Sequence, residues 1–180
     1  RGIQSHGKGV NRATMGERAA INLNNVDANE LNRGYHLSKQ DTYSETSFII
    51  GEIKLVSSRK FAIKNNQRLR IHLGTREVMS RASIINDDDK GLLVFFKLEN
   101  PLTAAIGDRF IIRLYSPVQT VAGGKVINIP SKNNWKKIKS DSVNLLGLSS
   151  KDRIYQIINN SSDLYPIEKT HIEKKLNISL

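Results

Sequence analysis

The 180-residue chain is long enough for one domain or two small ones, and its 38% hydrophobic and 25% charged residues are enough for a globular core. It has no cysteine, which excludes disulfides, thiolate metal sites and a cysteine nucleophile and is compatible with a reducing compartment. With 28 Lys and Arg against 17 Asp and Glu the formal charge is +11, which points to a polyanionic partner such as RNA or DNA.

The opening stretch RGIQSHGKGV is neither a signal peptide nor a usual initiator sequence, and reads as if cut from a longer polypeptide. Its residues predict a strand with a Gly-Lys-Gly turn, and ERAAINL (17–23) predicts another strand. In VDANELNRG (26–34), Asp27 as N-cap, Glu30 at N3 and Gly34 as stop signal predict a short helix, after which YHLS resumes a strand.

From 48 to 129 the dominant period is two. FIIGEIKLV (48–56), FAIK and RLRIHL (68–73) alternate or run briefly apolar over strand lengths. In RLRIHL, Leu69, Ile71 and Leu73 share one face and Arg70 and His72 the other, before a turn at Gly74-Thr75. Val78, Ser80, Ala82 and Ile84 share a face of the next strand, and NDDDKG (86–91) is a polar turn. LLVFFKLE is expected to end at Asn100-Pro101, because proline cannot donate to a ladder. RFIIRLY (109–115) ends at Ser116-Pro117, and TVAGGKVINI (120–129) closes the series, its Gly123-Gly124 permitting a bulge or a tight corner. Short strands without intervening helices predict a small antiparallel barrel or sandwich.

After Pro130, SKNNWKKIKSD reads as a basic linker whose Trp135 stacks on a base or docks against protein. The period then becomes helical. SSKDRIYQIINN offers Ser149 or Ser150 as N-cap with Ile154, Ile157 and Ile158 on one stripe, and PIEKTHIEKKLNIS stripes Ile167, Ile172 and Leu176. Two such short helices need a third element to bury their faces, and the chain is expected to stop before providing it.

His72, Thr75, Arg76, Glu77 and Arg81 invite a catalytic reading. On paired strands, however, they are what a half-solvated sheet displays, whereas acid–base catalysis needs groups converging in a cleft. No G-x-x-x-x-G-K-[ST] phosphate loop, H-E-x-x-H or G-x-S-x-G occurs, and Asp87, Asp88 and Asp89 lack the ligand pattern of a calcium loop. No catalytic residue and no metal ligand set is therefore assigned. The longest apolar runs, GLLVFF and RFIIRLY, are too short to span a bilayer.

Several segments taken in order carry a resemblance. MGERAAINLNNVDANELNRGYHL (15–37) looks like the end of the second domain of translational GTPases of the elongation factor Tu class, and HLGTREVMSR with GDRFIIRLYSPVQTVAGGKVI (72–81, 107–127) looks like their third domain. Within that class SHGK (5–8), GERAAINL (16–23), HLGTREV (72–78), GDRFIIR (107–113) and TVAGGKV (120–126) are similar to motifs of the bacterial selenocysteine-specific elongation factors, SelB. Glu17 stands where the family usually has Gln, and Ala122 where it has Gly. Each motif alone is weak; their shared order over about residues 1–130 is fairly specific.

The resemblance implies a mainly β fold, an antiparallel β-barrel of the elongation factor Tu domain III type. Part of a second β-barrel would precede it and a short helical, partial winged-helix segment would follow. The implied boundaries are 1–38 for the end of the domain II barrel, 39–130 for the domain III barrel, 131–148 for a basic linker and 149–180 for the start of a winged-helix domain. A GTPase domain before residue 1 and more winged helices after 180 are implied, so this chain is expected to be no enzyme and to hold no cofactor. GTP and magnesium would belong to the full-length protein.

Implied partners are selenocysteinyl-tRNA, the ribosome and, through winged helices outside this chain, a selenocysteine-insertion mRNA hairpin at recoded UGA codons. No membrane is implied, and the compartment is the cytoplasm. By position Arg18 matches the family arginine of the selenocysteinyl pocket, where a fixed cation favours an ionised selenol over a neutral serine hydroxyl. Arg68, Arg70 and Gln119, with His72 beside them, match tRNA-facing positions and would meet the acceptor and T-stem backbone. The truncated domain II barrel has unpaired edges and is expected to associate with another chain or to be poorly ordered. The alternatives are a barrel fragment of another translational GTPase delivering ordinary aminoacyl-tRNA, and an unrelated enzyme using the 72–81 cluster.

Overall fold

The period-two stretches become strands in the structure, a computed structural model that describes residues 2–40, 42–56 and 61–159. The chain separates into two units, Arg1–Arg33 and Gly34–Leu180. Gly34, the first residue of the second unit, has φ 95° and lies against Arg76, where a Cβ on it would come 2.7 Å from the Arg76 side chain.

In the first unit β1 (Ile3–Ser5), β2 (Lys8–Val10) and β3 (Ala19–Ile21) form an antiparallel sheet in the order β2-β1-β3. The hairpin turns at His6-Gly7, with φ 51° and 76°, one step before the expected Gly-Lys-Gly. Two successive left-handed residues match the twist of the flanking strands, which leaves Lys8 and Gly9 free to pair with Ser5 and Gln4. The helix expected at 26–34 is a single 3-10 turn, Ala28–Glu30, where Asp27 Oδ1 accepts the Asn29 N–H at 2.9 Å. Asn29, Asn32 and Gly34 are weak helix formers and nothing extends the turn. Residues 35–38 are irregular, not the strand expected of YHLS.

In the second unit β4 (Glu45–Leu55), β5 (Arg68–Leu73), β6 (Arg76–Asp88), β7 (Gly91–Thr103), β8 (Arg109–Leu114) and β9 (Thr120–Asn128) close an antiparallel barrel in the order β4-β7-β6-β5-β8-β9. Alternate residues of each strand point inward, so Ile49, Leu69, Ile71, Val94, Phe96, Phe110 and Ile112 fill one core. Phe96 and Phe110 meet edge to face, centroids 5.7 Å apart. The Phe110 ring has room because Gly51 and Gly124 lack a Cβ, which would stand 2.5 and 2.4 Å from it. The register of β9 slips at Val121 and Ile127, either side of the glycine pair, so Gly124 serves packing while the bulges lie elsewhere.

Two expected strand features differ. FAIK pairs with nothing: Ile63 is buried in the core, and Gln67 Oε1 takes the Lys64 N–H at 2.9 Å. Nor does β7 stop at Pro101. Its pairing with β4 jumps from Phe48↔Lys97 to Thr46↔Leu102, so the proline lies in an irregularity that has no ladder bond to lose.

The segment expected as a linker is folded onto the barrel. Ile50, Leu93, Phe95 and Ile127 stand on the outside of the wall and are covered by α1 (Trp135–Asp141), a 3-10 turn (Ser142–Leu145) and α2 (Ser150–Asn159). Trp135 stacks on Phe48 at 6.4 Å and lies tilted against Phe95 at 5.4 Å. Ser149 is the cap of α2: its Oγ accepts the Asp152 N–H at 3.2 Å and donates to Asp152 Oδ2 at 2.6 Å. On α2, Arg153 donates from Nη2 to Glu52 Oε2 at 2.5 Å and from Nε to the Leu145 carbonyl at 3.0 Å. The barrel wall is thus the third element that the first amphipathic helix needed. The helix expected over 166–179 lies outside the described residues.

Candidate nucleic-acid interface

Because Leu69, Ile71 and Leu73 point into the core, the pleat of β5 turns Arg68, Arg70 and His72 outward. Strand pairing then decides their neighbours. Arg68 faces Arg81 and His72 faces Glu77 across β6, while Arg70 faces Arg113 across β8. Just after β8, Tyr115 lies under two cations, 5.0 Å from the Arg68 guanidinium carbon and 5.7 Å from that of Arg70. Gln119 follows on the β8–β9 turn, where its carbonyl accepts the Leu114 N–H at 2.9 Å. Arg68, Arg70 and His72 therefore share the outer face of β5, and Gln119 is tied to the end of β8 through its backbone.

Carboxylates interleave with these cations. Arg68 holds Glu99 with two hydrogen bonds, Nε to Oε1 and Nη2 to Oε2, both at 2.7 Å. The Arg68 hydrogen bond pulls the Glu99 carboxyl below its usual range, and Glu99 in turn raises the Arg68 pKa. Arg70 donates to Glu77 from Nη1, and His72 Nε2 lies 3.7 Å from the other oxygen of Glu77. Arg70 Nε, His72 Nε2 and Arg113 Nε are buried nitrogens without a hydrogen-bond partner among the described residues. These nitrogens are covered, so a phosphate on this wall would meet the outer Nη groups of the paired guanidiniums.

The 72–81 cluster lies on the outer face of the paired strands β5 and β6. His72 and Glu77 are 24% and 45% exposed on the convex wall, with Glu77 engaged by Arg70. Among the described residues no three His, Asp or Glu side chains gather as metal ligands, and no helix is long and apolar enough to cross a membrane. Arg18 lies in the other unit, exposed and just ahead of β3, its carbonyl accepting from Ser5 Oγ at 3.4 Å.

Sequence reasoning did not find Tyr115 or Glu99 as members of the wall. Tyr115 ends RFIIRLY one step beyond the outward series Arg109, Ile111, Arg113, which is the signal that marks it.

The barrel and its wall define a class. The fold is similar to the crystal structure of bacterial selenocysteine-specific elongation factor EF-Sec, with TM-score 0.74 and 20% identity over 99% of this chain and 28% of that one. It is also similar to apo translation elongation factor SelB from Methanococcus maripaludis, with TM-score 0.63 and 20% identity over 74% of this chain and 34% of that one. This is a β-barrel of the translation elongation factor type. Residues 51–133 match the family described as selenocysteine-specific elongation factor, beta-barrel domain. A selenocysteine-specific elongation factor from Desulfomicrobium baculatum is 33% identical over 132 residues, which are 71% of this chain and 21% of that protein. Through residues 51–133 the chain carries the β-barrel domain of the selenocysteine-specific elongation factor family. It spans about a fifth of the length of that relative.

Proposed function

We propose that this chain is the tRNA-holding segment of a selenocysteine-specific elongation factor, which carries selenocysteinyl-tRNA to the ribosome at recoded UGA codons. One observation carries the reading: Arg68, Arg70, Arg113 and Tyr115 share a convex wall that can lie along an RNA backbone but cannot enclose a substrate. Contacts of this kind read phosphate and shape, not sequence. Arg18 would supply the cation that favours a selenolate, GTP and magnesium would be held by a GTPase domain elsewhere in the full-length polypeptide, and the mRNA hairpin by further winged helices. Each of these last assignments is carried over from the family.

The test is equilibrium binding of one tRNA charged with selenocysteine or with serine to the full-length factor. Arg68→Ala/Arg70→Ala is expected to weaken both forms about equally, by roughly threefold, and to lower the salt dependence. Arg18→Ala is expected to reduce the preference for the selenocysteinyl form while leaving serine-charged binding in place. If the double variant binds both forms as tightly as wild type, the wall does not hold tRNA.

A further inference from the structure

The outward row of β5 continues around the barrel onto its helical cover. Arg68 faces Arg81 across β5–β6, Arg81 faces Lys97 across β6–β7, and Lys97 faces Phe48 across β7–β4. Adjacent strands are about 5 Å apart, so these side chains form a line across the wall. At its end α1 comes down on the sheet. Trp135 stacks on Phe48 at 6.4 Å, and Lys136 Nζ is 5.7 Å from the Trp135 ring. One turn on, Lys139 Nζ donates to Ser83 Oγ at 2.7 Å and lies 5.8 Å from the Phe95 ring. Ser83 is two residues along β6 from Arg81, and Phe95 two along β7 from Lys97. Four cations therefore gather where β6, β7 and α1 meet.

Their charge is balanced differently from that of the β5 arginines. Among the described residues the ion pairs go to Arg68, Arg70, His72 and Arg153, and none goes to Arg81, Lys97, Lys136 or Lys139. Glu99 acts on Arg81 through space, but its hydrogen bonds are with Arg68. Like charges gathered without counter-charge repel one another and oppose the compact fold. A polyanion laid across the junction removes that cost.

We propose that this junction is the principal phosphate-binding site of the chain, with Lys97, Lys136 and Lys139, and Arg81 at their edge, taking phosphodiesters of a folded RNA backbone. The Arg68–Arg70–Tyr115 wall is its continuation. A cation already bonded to a carboxylate must share or surrender that bond when a phosphate arrives, whereas Lys97 and Lys136 are exposed and give up mainly water, and Lys139 and Arg81 give up only neutral partners, the Ser83 hydroxyl and the Asn66 carbonyl. Lysine, a point charge with three rotatable donors, follows a backbone without fixing sequence. The inference rests on the reading that the wall meets RNA, and adds which residues bear the main contact and that α1 belongs to the interface.

The experiment titrates the 180-residue chain with a labelled tRNA transcript at several salt concentrations. Lys97→Ala/Lys136→Ala is expected to bind roughly tenfold more weakly and to lower the slope of log K against log salt by about 2, with a smaller loss in Arg68→Ala/Arg70→Ala. Lys139 is kept, since it bonds Ser83. Lys136→Glu, a change on an exposed helix position, is expected to weaken binding further, with an unchanged circular dichroism spectrum. Wild-type affinity and slope in both lysine variants overturns the proposal. Should Arg68→Ala/Arg70→Ala lose binding in that same series, the RNA-facing wall stands without the junction. A wild-type affinity that is flat with salt sinks both.

Discussion

Glu99 sets the electrostatic state of the β5 wall. Arg68 depresses its carboxyl, so whatever stability the pair contributes is fully present above the carboxyl's unfolded-state pKa and is lost as pH falls through the lower folded value. Near neutral pH the pair is constant, and being exposed it adds little to stability. A site-resolved NMR titration is expected to place Glu99 below the ordinary glutamate range, and Arg68→Ala to return it there; an unmoved value would mean that Arg68 is not the cause. Inside the wall, Gly124→Ala drives a Cβ into the Phe110 ring and is expected to cost roughly 1–3 kcal/mol in denaturant unfolding. Arg68, Arg70 and His72 were legible because Leu69, Ile71 and Leu73 alternate with them. Glu99, 31 residues from Arg68, and the Phe110 ring over Gly124 become neighbours only through strand pairing, which one strand's pattern does not contain.

Between elements, the Arg153–Glu52 bond fastens α2 to β4 across 101 residues of sequence. Its two ends differ in burial: the arginine side chain is 4% exposed and the glutamate 26%. Glu52→Ala strands a buried guanidinium and is expected to cost about 3–5 kcal/mol. Arg153→Ala is expected to cost less, because Glu52 can rehydrate. Denaturant unfolding followed by the fluorescence of Trp135, which sits in the same cover, compares the two; equal costs would show that the asymmetry of burial does not govern the pair. Period two gave β5, β8 and β9 nearly to the residue, whereas β6 runs on through Asn86, Asp87 and Asp88, which were expected in a turn but pair with Leu93, Leu92 and Gly91. It failed for FAIK, whose Ile63 is apolar for the core's sake although the backbone pairs with no strand, and at Pro101, where an irregularity spares the chain a donor. The basic composition of SKNNWKKIKSD hid a helix, since only Trp135 and Ile138 of α1 join the apolar cluster on the wall.

At the scale of the molecule, the continuous apolar runs of β4 and β7 carry information that alternation alone does not. In LLVFF, Val94 and Phe96 face the interior while Leu93 and Phe95 face outward, and both sets are buried. A strand apolar on both faces requires a second layer, and here the layer is supplied by the chain after Pro130. The cover and the barrel should therefore behave as one folding unit, not as a domain with a tether. Deleting everything after Pro130 exposes Ile50, Leu93, Phe95 and Ile127 together as a patch on a convex wall. Patches of that kind on a soluble surface recruit other apolar surface. The shortened chain is expected to bind a hydrophobic dye and to associate at concentrations where the full chain stays dispersed, and Phe95→Thr in the shortened chain to lessen both effects. Light scattering with dye fluorescence reads this directly. A shortened barrel that stays monomeric and dye-free would mean that the wall tolerates water there, and that α1 and α2 are held for their charges and not for the apolar surface they hide.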